Sequence, residues 1–335
     1  MSRPVTAGHL ALLYGIAATA WIGAAALCMM FGSTGDFHWP DDDVILQARA
    51  QRVLLASLVG AALAGGGVAY QAVLRNPLAD PYLLGASSGA TLATFIWMIP
   101  GAGIAPVAMI LGQQGFAFAG ALGAVAMVLL LAGGTGRLEP TRAILVGVII
   151  SAVCGSMLML LINLFTTPSG SGGALALLFG QIRTSLTTFE TWAATLLALL
   201  AALLLASMAG ALNVAALGED EAEAMGIRVN RLRWGALVVA SLLVASAVAV
   251  GGPIGFIGLI GPHLGRLIVG PDNRRLLPIA MATGAALLAL ADTTSRFLSN
   301  PMNLGTILPV GVLTGILGGP FFLLLLWGRR GRTHG

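Results

Sequence analysis

The chain has 335 residues, of which 57% are hydrophobic and 9% charged, against about 25% charged in an ordinary soluble domain. So few charges cannot solvate the surface of a soluble fold, and the mean hydropathy of +0.93 excludes a cytosolic globular enzyme. The basic residues number 17 and the acidic ones 13, for a net charge of +4, and every basic residue is Arg. Without Lys there is no standard Walker A loop, whose Lys must reach the β/γ-phosphates. No cofactor is expected on this chain, and any ATP–Mg that powers it would sit on a partner.

A membrane span needs about 20 apolar residues. Apolar runs between charged or Pro/Gly punctuation give ten segments, centred near Ala20, Ala62, Ala93, Ala124, Ser151, Leu200, Leu242, Leu259, Leu287 and Leu317. The expected fold is an all-α integral membrane protein, one transmembrane domain over residues 1–335. The first run, about Leu10 to Phe31, is too long for a signal-peptide core and reads as a helix. The 46 Gly residues suit closely packed membrane helices. With both termini in the cytoplasm, 13 Arg fall inside and Arg49, Arg52, Arg183 and Arg296 outside. The positive-inside rule therefore selects N-in, C-in. No basic face is interleaved with exposed aromatics, so nucleic acid is not an expected partner, whereas membrane lipid is.

In chain order, Asp36 to Asp43 forms an acidic outer loop containing His38, read as solvated. Arg49 and Arg52 sit just outside the second helix as the outer side's basic cluster, and snorkelling or contact with an acidic partner would both place them there. Cys28 and Cys154 fall in apolar runs with no metal-ligand spacing and read as small buried residues. Arg75 to Pro81 (RNPLADP) is a turn. Two Pro break the helix, Asn76 and Asp80 satisfy freed backbone groups, and so polar a turn belongs at the interface or on a water-filled cavity.

The longest inner connection is Asn213 to Arg233. Glu219, Asp220, Glu221 and Glu223 open a short helical pattern, Gly226 is placed as its C-terminal cap, and Arg228, Arg231 and Arg233 follow. A docking element and a plain solvated loop fit this pattern equally. Gly251 to Arg266 (GGPIGFIGLIGPHLGR) makes a poor uninterrupted helix, so the eighth span is expected to be short and broken. His263 at its end reads as structural. Asp292 and Arg296 are four apart and share a helix face, as a structural ion pair or as an Arg held toward an outer partner.

These segments together resemble the FecCD-type permeases, the membrane subunits of type II ABC importers for iron–siderophores, haem and vitamin B12. The matching pieces run in order from about Val44 to Trp327: RVLLASLVGAALAGGGVAYQAVLRNPLADPYLLGASSGA, ALGEDEAEAMGI, GPIGFIGLIGPHLGRLIVG, LPIAMATGAALLALADTTSR and LPVGVLTGILGGPFF. The resemblance implies ten helices per subunit and a homodimer in the inner membrane. Two ATPase subunits would serve it from the cytoplasm, and a periplasmic substrate-binding protein would dock from outside. It implies that Gly218, Glu219, Glu221, Met225, Gly226 and Arg228 belong to a coupling element in the ATPase cleft. Arg49, Arg52 and Arg296 would receive acidic residues of the binding protein. Asn76 and Leu78 match a cytoplasmic gate, and Thr141, opening the fifth helix, lies near where the family places another. Two departures stand out. Arg49-Ala50-Gln51-Arg52 replaces the family's Arg-Leu-Pro-Arg, and Phe179 stands where a Trp is usual, after a Gly/Ser-rich stretch from Pro168 to Gly173. Two other classes compete. One is a secondary transporter using Asp292 as a proton carrier. The other is an intramembrane enzyme, for which the sequence offers neither HExxH nor GxSxG.

Overall fold

The computed structural model describes residues 7–31, 37–99, 105–133, 139–166, 176–182, 188–299 and 308–330. Its helices are α1 (Ala7–Met30), α2 (Asp43–Val73), α3 (Ala86–Met98), α4 (Ala105–Ala132), α5 (Pro140–Phe165), α6 (Thr188–Leu217), α7 (Glu219–Ala224), α8 (Val229–Gly251), α9 (Ile257–Val269), α10 (Asn273–Ser299) and α11 (Val310–Arg330). Each of the ten segment centres expected from hydropathy falls inside one of these helices; the eleventh helix, α7, is the short inner one. Among the described residues seven helices are long and apolar enough to cross a membrane. The Gly/Ser-rich stretch 168–173 and Arg183 lie outside the described residues.

Besides α7, two helices are too short to span. α3 and α9 have 13 residues each, about 20 Å at 1.5 Å per residue. Both begin part-way along α2 rather than at its end, since Pro81 lies beside Gly66 and Gly258 against Gly67. The chain leaves α2 at Val73 and turns at Arg75, which takes a left-handed φ of 48°. It then climbs back beside α2, until a Cβ added at Gly66 would lie 3.9 Å from Pro81 Cγ. A 3-10 turn over Pro81–Leu84 and a left-handed Gly85 deliver it into α3. In the same region α8 stops at Gly251, and residues 252–256 form a break before α9 descends.

The core is built on α2, in which 83% of the residues of its most apolar stretch are buried, and on α8 and α10 against it. Lipid is as apolar as Leu, so these helices associate through close packing rather than through exclusion of water. The glycines make that approach possible. A Cβ added at Gly60 of α2 would lie 2.2 Å from Gly284 O of α10, and one at Gly67 would lie 2.0 Å from Gly258 O of α9. By contrast α5 is only 17% buried. One face (Ala143, Gly147, Ile150, Leu158, Ile162) packs inward, while Leu145, Val153 and Leu164 on the other are each at least 60% exposed.

Candidate functional site

The outer charges come first. Asp42 caps α2 by accepting a hydrogen bond from Val44 N–H at 2.8 Å, so Arg49 and Arg52 lie in the second and third turns of the helix rather than ahead of it. Arg49 donates to Met29 O at 2.8 Å and reaches Met30 O and His38 O at 3.4 and 3.3 Å. It thereby supplies a cation and donors to carbonyls at the end of α1, where Met30 O also accepts from His38 N–H at 3.1 Å. Arg52 presents a fork to Asp292: Nε donates to Oδ2 at 2.8 Å and Nη2 to Oδ1 at 3.0 Å. Arg296 comes from the other side, with Nε 3.3 Å from the same Oδ2 and Nη2 donating to Thr293 Oγ1 at 3.1 Å.

The side chains of Arg52, Asp292 and Arg296 are 12%, 3% and 7% exposed. Arg296 therefore points into the helix bundle instead of snorkelling outward. Two guanidiniums on one carboxylate leave the cluster with a single excess positive charge. The i,i+4 spacing made the Asp292–Arg296 pair legible. The stronger, bidentate partner lies 240 residues away in sequence and no local pattern announces it. Both cysteines are free, Cys28 buried and Cys154 half-buried. No group of three His, Cys, Asp or Glu side chains converges among the described residues.

The inner connection forms an elbow. Glu219, Asp220 and Glu221 occupy the first turn of α7, where carboxylates suit the positive end of the helix dipole. The helix ends in a Schellman motif: Gly226 N–H donates to Glu223 O at 2.9 Å and Ile227 N–H to Ala222 O at 2.9 Å. The motif requires Gly226 at its left-handed φ of 79°. Ala222 packs with Ala215 and Val229 in a small apolar cluster that Ile227 also joins, and Arg233 meets Glu219 at 2.7 Å. The elbow is thus seated on α6 and α8, while its outward side stays open. Met225 is 65% exposed and Gly226 and Arg228 are exposed too. Glu223, Gly226, Arg228 and Arg231 line an open cleft of about 490 Å³.

The turn after α2 is held by its own polar side chains. Asn76 Oδ1 accepts from Leu78 N–H at 2.9 Å, and Asp80 Oδ1 from Tyr82 N–H at 2.9 Å. Asn76 and Leu78 are half-buried. Thr141 is exposed, one residue after Pro140, which opens α5. Sequence reasoning missed the long-range partners of this turn. Arg75 Nη2 donates to Ala215 O in α6 at 2.6 Å. Tyr82 hydroxyl accepts from Ile254 N–H. Nearby, Gln71 donates to Gly258 O at 3.1 Å and accepts from Arg266.

Around the helix break the irregular strands of backbone satisfy one another. Gly180 N–H donates to Pro253 O at 2.8 Å, Gln181 N–H to Gly251 O at 2.9 Å, and Gly311 N–H to Gly180 O at 3.0 Å. They border a cavity of about 200 Å³ into which Thr91, Thr94, Gln113 and Gln181 also face. This is how non-helical backbone is tolerated at membrane depth: buried in protein beside a polar cavity. His263 in α9 stacks edge-on against Phe321 of α11, ring centroids 5.9 Å apart.

An all-helical bundle in which seven described helices are long and apolar enough to cross a membrane, with an Arg cluster around Asp292 and a seated elbow after α6, agrees with the FecCD resemblance. The model of the FecCD transport family matches residues 9–328. The chain belongs to this family. It is 36% identical over 339 residues to the hemin transport system permease protein HmuU of Yersinia pestis, covering 98% of this chain and 97% of that one. It is 35% identical to the cobalamin import system permease protein BtuC of Halobacterium salinarum, over 92% of this chain and 80% of that one. It is 32% identical to the molybdate import system permease protein MolB of Haemophilus influenzae, over 97% and 96%. A solved structure described as an inward-facing metal-chelate-type ABC transporter superposes with a TM-score of 0.81 at 28% identity, over 95% of this chain and 99% of that one. The FecCD chain described here is accordingly a multi-pass permease subunit of an ABC importer in the cell's inner membrane.

Proposed function

We propose that this permease carries an iron chelate, haem or cobalamin from a periplasmic binding protein to the cytoplasm, working as a homodimer with two ATPase subunits. The observation that carries the reading is the elbow. It is a capped and seated helix whose outward side, with Asp220, Glu221, Glu223 and Ala224 followed by Met225, is exposed, and that suits docking into a groove on a cytoplasmic ATPase. Motion there would pass to α5, whose exposed apolar face supplies both a surface for a second copy and a wall for the pathway. A wall of Leu, Val and Met side chains makes no directional bonds to cargo, so selection falls to the binding protein. Arg49, Arg52 and Arg296 form the outer cluster on which acidic groups of that protein would dock. The net positive charge supports this, and the burial of Arg52 and Arg296 requires them to turn out from Asp292 or to act by their field. Asn76, Leu78 and Thr141, all near the inner end, would close the pathway there.

The geometry also weighs against a proton-coupled carrier built on Asp292. Both oxygens of Asp292 accept from Arg52, with Arg296 alongside. A carrier carboxylate must trade its proton with water on alternate sides, whereas this one serves as the counter-ion of two cations. Reconstitution separates the two mechanisms. Proteoliposomes holding permease, ATPase subunits and binding protein should accumulate the bound chelate only with internal ATP. Accumulation by the permease alone under a proton gradient would reject the proposal.

A further inference from the structure

We infer that Arg75 is a positioning residue through which the inner elbow acts on the break at residues 252–256, the turn over residues 75–84 being the rigid link between them. The inference rests on the coupling role proposed for the elbow and extends it to a transmission route. Two residues other than Gly take left-handed backbone among the described residues, Arg75 (φ 48°) and Phe256 (φ 69°). Residues with a Cβ stay there only where their surroundings hold them. These two sit at opposite ends of the same set of contacts.

At the elbow end, Arg75 grips Ala215 O at 2.6 Å. Ala215 lies three residues before Gly218, and its side chain belongs to the apolar cluster beneath α7 with Ala222 and Val229. Displacing α7 therefore moves the carbonyl that Arg75 holds. Between the ends, the link is short and stiff. Asn76 N–H donates to Gln71 O at 3.2 Å, Ala79 N–H to Asn76 O at 3.0 Å, and the Asn76 and Asp80 side chains cap the turn internally. Pro77 and Pro81 fix their own φ angles.

At the far end, Tyr82 holds Ile254 N–H, and Pro81 lies where a Cβ on Gly258 would touch it. The Phe256 ring fills the notch left by Gly318 of α11, where a Cβ would be 2.3 Å from its Cγ. The break thus touches the elbow's link on one side and α11 on the other. Gln71 meanwhile ties Gly258 and Arg266 of α9 to α2. That strut leaves α9 anchored, so a pull on the turn is taken up at residues 252–256. Coupling of this kind travels through packed and hydrogen-bonded contacts to an element with two arrangements, and the break is that element.

The test is hydrogen–deuterium exchange on the permease co-purified with its ATPase subunits, without nucleotide and with ATP–Mg trapped by vanadate. In the wild type, trapping should change exchange at 218–226, 75–84 and 251–256. Arg75→Ala should keep the change at the elbow and lose it at both other segments. Tyr82→Phe removes the hydroxyl that holds Ile254 N–H and leaves the turn's own caps intact, so it should keep the change at 218–226 and 75–84 and lose it at 251–256. A break that still responds in both variants overturns the route. An elbow that responds in the wild type without any response at the break also overturns it, and leaves coupling standing. An elbow that never responds removes the coupling role and this inference together.

Discussion

The outer and inner polar regions use similar residues to opposite ends. Outside, Arg52 and Arg296 are folded onto Asp292 within the bundle, and Arg49 is spent on the carbonyls that close α1. Inside, Glu219 is paired with Arg233, while Met225, Gly226 and Arg228 are exposed. Charge that is satisfied within the fold fixes how helices sit. Charge on a capped, exposed element is available to another chain. The comparison teaches that an Arg cluster read from sequence as a surface can be a clasp between helices, and that burial rather than residue type separates the two.

Two perturbations should break the contrast outright. Deleting 218–226 should abolish co-purification of the permease with its ATPase subunits while leaving the helix bundle assembled; retained co-purification would deny the elbow its role. Reversing Arg49 and Arg52 to Glu should abolish the stimulation of ATP hydrolysis by the binding protein in proteoliposomes. Arg52→Glu also sets a second acid beside Asp292, so Arg49→Glu alone is the cleaner arm, and unchanged stimulation there would remove Arg49 from the docking surface.

The clasp itself should show as stability. Asp292→Ala leaves two guanidiniums buried without their counter-ion, and breaking a buried pair from one side costs about 3–5 kcal/mol. Unfolding in detergent, followed by helicity against denaturant, should shift by that amount. A loss no larger than that of an exposed pair would mean that water reaches the cluster. A smaller effect is expected at the helix crossing beside it. Gly60→Ala puts a methyl 2.2 Å from Gly284 O, and overpacking of this kind costs about 1–3 kcal/mol. Gly15, whose added Cβ meets nothing within 4 Å, should tolerate the same change.

The helices were legible in the sequence because lipid imposes length and apolarity on each, and both signals are local. The elbow was legible for a related reason. Acids at a helix start, Gly at its end and Arg beyond it are all local consequences of backbone groups that need partners. What stayed hidden was reach. Arg52 finds Asp292, Arg75 finds Ala215 and Tyr82 finds Ile254, each across more than 130 positions, and a lone sequence carries no trace of such pairings. The short helices α3 and α9 illustrate the same limit. Pro and Gly marked where each is interrupted, but that the two interruptions meet at one depth and bond to each other is a property of the packed fold.

The smallest effect concerns the ion pair between Arg233 and Glu219 at the elbow. Arg233 Nη1 lies 2.7 Å from Glu219 Oε1, with Arg233 11% and Glu219 51% exposed. The half-exposed carboxylate keeps much of its hydration, so the pair is worth at most about 1 kcal/mol to the fold. Its consequence lies in orientation, since it ties the first residue of α7 to the first turns of α8. Glu219→Gln should leave the unfolding midpoint almost unmoved and lower the affinity of the permease for its ATPase subunits, because the elbow loses a fixed angle before docking and must be ordered on binding. Raising the salt concentration in the wild type should reproduce part of that loss by screening the same pair, and should have no further effect in Glu219→Gln. A variant that keeps the full salt dependence would show that the screened charges lie in the docking contact itself rather than in this pair.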